Sequence, residues 1–251
     1  MLLWYNALNL FRRLIRLFSL RKILSLLLML FLIAENITLG CVLCDIVNGK
    51  PDVSGRKPAI IYESDNFVSF VSIVDLGSIV EGYVLLISKR HINSMGELNE
   101  SEYSDFISIK SKIISDLEKI YSKKCICFER GSGLKNHENA GSSVQHAHFH
   151  NAHFHIVAIG CLDNDLNNQV INNMQLIENE SWDVLKKYSD NPYLYYISGE
   201  GKIYISNKKM LESQYMRKII SKQFETEYDW RNISSRKNFE NNVMNTEQKL
   251  I

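Results

Sequence analysis

The stretch Gln145-His-Ala-His-Phe-His-Asn-Ala-His-Phe-His-Ile-Val157 holds five of the chain's seven histidines. At its start, His146, His148 and His150 alternate with Ala147 and Phe149. Successive side chains of a strand point to opposite faces, so three imidazoles stand in a row on one face while the apolar pair packs on the other. Imidazole titrates near neutral pH and can act as base, nucleophile or metal ligand. A row of three flanked by apolar residues reads as a reaction centre carried on a half-buried strand.

The stretch is internally duplicated: His146-Ala-His-Phe-His150 is followed by Asn151-Ala-His-Phe-His155. The offset is five residues, and an odd shift turns every side chain to the other face. Both copies cannot face one site along an unbroken strand, so one of them bulges or loops out. In the first register Gly141-Ser-Ser-Val144 stays joined to His146, His148 and His150. In the second, Asn151, His153 and His155 take the three places and run on into Ile156-Val-Ala-Ile159.

Outward from the repeat, Ala59 to Glu63, Phe67 to Val74, Gly82 to Ser88 and Cys125 to Glu129 read as strands. Between the last two, Glu97 to Lys119 carries apolar residues at helical spacing, with Ser101 and Glu102 near its start. One helix between runs of strands with hairpin-like spacing points to an α+β fold rather than alternating α/β. Gly131 to Gly141 is a loop by composition. Further on, Leu194 to Ile197 and Lys202 to Ser206 around Gly199-Glu-Gly201 read as a hairpin, and Ser213 to Lys222 as an amphipathic helix. The expected organisation is a leader over 1–36, a main domain over 38–162, an extension over 163–231 and a disordered tail over 232–251.

Hydrophobic content of 45% and charged content of 23% are ordinary for a globular protein, and a net charge of +1 excludes bulk nucleic-acid binding. Five cysteines are an odd number, which suits reduced thiols or a metal site better than a disulfide scaffold. Cys125 and Cys127 read as small buried hydrophobes of a core strand. In the leader, Arg12, Arg13, Arg16, Arg21 and Lys22 precede the apolar run Ile23 to Ala34. That resembles a signal peptide or short anchor, but falls short of the roughly 20 apolar residues of a spanning helix. Leu2 to Leu20 suits a membrane surface, so residues 1–34 are the membrane-associating candidate. The alternative is a translation start placed upstream of the true one near Met29.

Cys41-Val-Leu-Cys44, Ser88-Lys-Arg-His-Ile92, Gly141-Ser-Ser-Val144 and His146-Ala-His-Phe-His150 occur in an order that resembles the histidine triad (HIT) family of nucleotide hydrolases and transferases. The resemblance covers about residues 41 to 160. Glu212 to Arg217 and Asp229-Trp-Arg231 are similar to an extension of some bacterial members.

The resemblance implies an antiparallel sheet of about five strands with a main helix, a homodimer and a nucleotide substrate such as a dinucleoside polyphosphate or a nucleoside phosphoramidate. It implies His148 as the nucleophile that carries the nucleotidyl group, His150 as phosphate ligand and Ser143 as leaving-group donor. In the alternative register His153 and His155 take these roles. Nucleotide contacts fall on Phe67, Phe70, Ser72 and Ile73, with Ser143 and His150. Ser72 stands where an acidic residue often meets the ribose, with Asp75 further on, which leaves sugar specificity open. Cys41, Cys44, His91 and His146 are implied as ligands of a structural zinc that pins an N-terminal strand to the catalytic strand.

The second register would put Asn151, a poor ligand, at the zinc position and separate the site from Ser143, so the first is preferred. A catalytically impaired nucleotide- or zinc-binding protein is the reading of a different class. Lys89, Arg90 and His137 read as solvated, as do Gln214, Arg217 and Arg231 on a helix face, rather than as phosphate ligands. A cytosolic nucleotide pool and reduced cysteines place catalysis in the cytoplasm, at the membrane face if the leader is retained.

Overall fold

The computed structural model describes residues 41–52, 55–71, 78–132, 144–145, 148–149, 152–207, 214–229 and 236–251. The leader lies outside them, as do Ser72, Ile73, Asp75, His137, Ser143, His146, His150 and Arg231.

Each strand read from the sequence upstream of the repeat is present: β1 (Ile60–Glu63), β2 (Phe67–Val71), β3 (Tyr83–Ser88) and β4 (Ile126–Gly131). Val144–Gln145 (β5) and His148–Phe149 (β6) pair with each other apart from the main sheet. His153–Val157 (β7) lies between β3 and β4. The extension adds β8 (Gln175–Ile177), β9 (Tyr193–Ile197) and β10 (Ile203–Ser206). The sheet runs β1-β2-β3-β7-β4-β9-β10-β8, with every pairing antiparallel.

The α+β class holds, but the sheet has eight strands rather than about five. The five expected ones are the first five in that order. The hairpin of the extension is the expected one, yet it continues the same sheet: β9 pairs with the outer edge of β4 from Cys127↔Ile197 to Gly131↔Tyr193. An unpaired edge exposes a row of N–H and C=O groups, and β9 satisfies that of β4. Residues 41–251 accordingly form one compact unit.

Six helices are described. Val42–Val47 (α1) opens the fold, and Glu100–Tyr121 (α2) is the main helix. It starts one residue before the Ser101-Glu102 pair because Asn99 and Glu102 form a capping box, each accepting the other's backbone N–H at 2.9 Å. Its buried stripe of Phe106, Ile109, Ile113 and Leu117 packs on one face of the sheet with Phe154 and Ile156. The extension adds Asn164–Ile171 (α3), Trp182–Tyr188 (α4) and Tyr215–Phe224 (α5).

The expected disordered tail is instead the helix Arg236–Leu250 (α6), with Phe239, Val243 and Thr246 buried. Its apolar positions are sparse but helically spaced, and partners elsewhere in the chain complete it. Thr246 Oγ1 accepts from the N–H of Gly82 at 3.0 Å, and Asn242 Nδ2 donates to the carbonyl of Ser78 at 2.8 Å. Gly82 enters β3 at φ +72°, a conformation that favours glycine. Among the described residues, no helix is long and apolar enough to cross a membrane.

Candidate active site and metal group

β7 is the second histidine copy. His153, His155 and Val157 pair with Ile87, Leu85 and Tyr83 of β3, and His155 and Val157 with Phe128 and Ile126 of β4. The central place in the sheet thus goes to the second register, not to the preferred first. Ile156 and Val157 pair on both sides and are contiguous with His153 to His155, so no bulge separates the histidines from the core. Of the first copy, the described residues are His148 and Phe149, whose backbone pairs with Val144–Gln145.

Strand alternation then sorts the side chains. Phe154 and Ile156 face α2, while Val157 belongs to the other core with Leu43, Phe70, Tyr83, Phe128, Met216 and Phe239. His153 and His155 share that second face. Their rings lie 4.8 Å apart. His155 stacks on Phe128 at 4.4 Å between centroids, and its Nδ1 is 2.9 Å from the Tyr83 hydroxyl.

Burial is the largest cause that holds the His155 pKa well below the ordinary imidazole range, followed by His153 and Arg217. Burial likewise pushes the Tyr83 phenol up. The pair is therefore a neutral imidazole facing a protonated hydroxyl near pH 7.

The sequence reading did not single out Tyr83, which sits in an otherwise apolar run. Nor did it single out Arg130, two residues along β4 from Phe128 on the same face and toward the His153 end of β7. Burial lowers the Arg130 pKa. Its signal was the alternation Ile126, Phe128, Arg130, where a cation takes a place expected to be apolar.

The proposed nucleotide contacts separate. Phe70 lies on the histidine face, fully buried, whereas Phe67 lies on the α2 face with its ring 5.7 Å from Phe106. Lys89 and Arg90 are exposed as expected and tie the strand end to its surroundings. Lys89 donates to Glu63 at 2.7 Å, and Arg90 donates from Nε and Nη2 to Glu102 at 2.9 and 2.7 Å. Arg217 departs from its expected solvated face: it is buried on α5.

Cys41, Cys44 and His91 come together, with all three ligand atoms within 4.8 Å of one another and Cys44 Sγ 3.1 Å from His91 Nδ1. The Cys-x-x-Cys segment is helical rather than a strand: Cys41 is the N-cap of α1 and Cys44 lies in its first turn. Positions three apart on a helix share a face, which aims both sulfurs at His91. Two thiols and an imidazole at this separation are a soft donor set that fits a tetrahedral divalent ion. In the protein alone, burial and then the Cys41 sulfur push the Cys44 thiol up to about 12. A cation between the sulfurs would reverse that.

The family model described as the HIT domain matches residues 55–158. An uncharacterised HIT-like protein of Methanocaldococcus jannaschii is 26% identical over 111 residues, which are 44% of this chain and 75% of that protein. A bis(5'-adenosyl)-triphosphatase of Dictyostelium discoideum is 27% identical over 122 residues, 47% of this chain and 75% of that one. A solved structure of a HIT family member from Bacillus subtilis is 22% identical and covers 47% of this chain and 72% of its own, with a TM-score of 0.36.

Proposed function

The chain carries a HIT domain over residues 55–158, and from that premise we propose that it hydrolyses or transfers at a nucleotide phosphoanhydride or phosphoramidate through a covalent nucleotidyl-histidine. The kinship with a bis(5'-adenosyl)-triphosphatase supports a dinucleoside polyphosphate substrate. The observation that carries the reading is the central strand that presents His153 and His155 together, with His155 Nδ1 on Tyr83.

In this reading His153 is the nucleophile. A ring nitrogen of His153 bonds to the phosphorus, the bond from phosphorus to the leaving group breaks, and water or another acceptor then releases the nucleotidyl group. The protonated Tyr83 hydroxyl donates to Nδ1 of His155, so the single proton of that neutral ring sits on Nε2 as a phosphate donor. Arg130 supplies positive charge on the same face.

The test is to mix the protein with a nucleoside phosphoramidate or a dinucleoside polyphosphate, quench it and measure intact mass. The wild type and His148→Ala gain one nucleotidyl group, while His153→Ala does not. Loss in His148→Ala with retention in His153→Ala would restore the first register, with His148, His150 and Ser143 in their roles. Tight nucleotide binding with no adduct in any form would select the binding protein without turnover.

The Cys41, Cys44 and His91 group is proposed to hold a structural zinc; the resemblance implies His146 as its fourth ligand in the first register, a place that falls to Asn151 in the second. Zinc there would tie α1 to the segment after β3 and supply no reacting group. Metal analysis should find one zinc per chain and none in Cys44→Ser, which should also melt earlier. Several metals per chain would refute this assignment. The homodimer is carried forward as a proposal, checked by sedimentation at twice the 29.1 kDa chain mass. Membrane association through residues 1–34 is checked by vesicle flotation with and without them.

A further inference from the structure

Among the described residues, two buried polar atoms at the start of α5 have no hydrogen-bond partner: Arg217 Nη1 and Gln214 Oε1. Arg217 is only 6% exposed. Its Nε and Nη2 donate to the carbonyl of Tyr228, at 2.9 and 2.5 Å, and its guanidinium packs 5.7 Å from the centroid of Phe239. Three contacts thus fix the group, and the Asp229 and Glu227 carboxylates act on its charge, but among the described residues Nη1 has no hydrogen-bond acceptor. Such an arrangement is costly unless something else supplies that acceptor.

Gln214 is the N-cap residue of α5, but its side chain does not cap the helix. The first-turn N–H groups therefore gain nothing from it, and the N-terminus of a helix of ten residues carries partial positive charge. Arg217 packs on Phe239, which shares one core with Tyr83 and Phe128, the two residues that His155 touches, so this end of α5 lies on the histidine side of the sheet. A fixed cation with one free donor, an acceptor three residues before it and a helix N-terminus together complement a phosphate oxygen and a neighbouring hydroxyl.

We propose that Arg217 and Gln214 form an anion subsite, contributed by the extension, that holds a phosphate of the nucleotide adjacent to the one attacked. It rests on the nucleotide-transfer reading above and makes the extension part of the site. It also favours substrates with a phosphate chain over those with a single phosphorus.

The test is calorimetric titration of the full chain with inorganic pyrophosphate and, separately, with AMP. Arg217→Gln weakens pyrophosphate binding by about 10- to 100-fold, the range for a charged hydrogen bond, and changes AMP binding little. Arg217→Lys keeps part of the affinity. Unchanged pyrophosphate binding in a folded Arg217→Gln, or none in the wild type, overturns the subsite. Should Arg217→Gln not fold, Gln214→Glu replaces a half-buried amide by an anion: weaker pyrophosphate binding supports the subsite, and unchanged binding overturns it. Because these readouts need no turnover, a wild type that binds pyrophosphate but forms no nucleotidyl adduct would sink the enzyme reading and leave the subsite standing.

Discussion

The two faces of the central sheet hold their buried charged side chains in different ways. On the α2 face, Glu129 accepts from Tyr193 at 2.6 Å and from the N–H of Met95 at 2.7 Å. Lys110, also buried, donates to Glu180, which accepts from Tyr195 as well, both at 2.5 Å. On the histidine face, Tyr83 meets His155, but among the described residues Arg217 Nη1 has no hydrogen-bond partner. Charged groups whose hydrogen bonds are met within the protein stabilise a fold, whereas a buried cation with a donor left over is a candidate for recognition, even with Asp229 and Glu227 acting on its charge. The difference teaches that changes on one face should act mainly on stability and on the other mainly on chemistry.

The strongest way to break that contrast is His153→Ala. It should cut turnover on the order of 10⁴-fold or more, as loss of a nucleophile does, with little change in melting temperature. A comparable loss of stability would make His153 a core residue instead.

Phe154 is the next residue on the same strand but points the other way, 1% exposed and edge-on to Phe106 at 5.1 Å. Phe154→Ala should cost about 3–5 kcal/mol in denaturant unfolding, while the folded fraction still forms the nucleotidyl adduct. Unchanged stability would contradict the packing of that face.

Glu129 sharpens the comparison through pH. Burial, partly offset by the Tyr193 and Met95 hydrogen bonds, pushes its carboxyl up to about 7 from an ordinary 4.5. A raised acid contributes stability that is full below its unfolded value and lost as pH rises through the folded one. Between pH 4.5 and 7 the wild type should therefore lose about 3 kcal/mol relative to Glu129→Gln, whose side chain stays neutral. Parallel stability profiles of the two proteins would refute it.

The smallest effect belongs to Tyr83→Phe, which removes the partner of His155 Nδ1 and should cost about 1 kcal/mol in unfolding. Its larger signature is in catalysis: the pH dependence of turnover should shift as the His155 tautomer is released. An unaltered profile would show that the hydroxyl serves packing alone.

Much of this was legible in the sequence. Strands β1 to β4, the main helix and the extension hairpin follow from apolar period and turn residues. The Cys-x-x-Cys and Lys-Arg-His segments do converge, as Cys41, Cys44 and His91. Phe67 was misplaced because a strand of five fully buried residues gives no sign of which face is which. The tail helix was missed because α6 has few apolar residues and relies on partners such as Ser78 and Gly82 far away in the chain.

The sequence by itself determined that an alternating histidine strand would lie at the heart of an α+β fold, and that parity admits only one copy. Local alternation is the same in both copies, so it could not choose between them. The tertiary structure decided that choice, because Ile156 and Val157 pair with β3 and β4 at once and carry His153 and His155 into the sheet with them. It also decided that Arg217, on a helix that reads as solvated, is buried near the histidines. That depends on pairings between residues far apart in the chain, which no local period encodes.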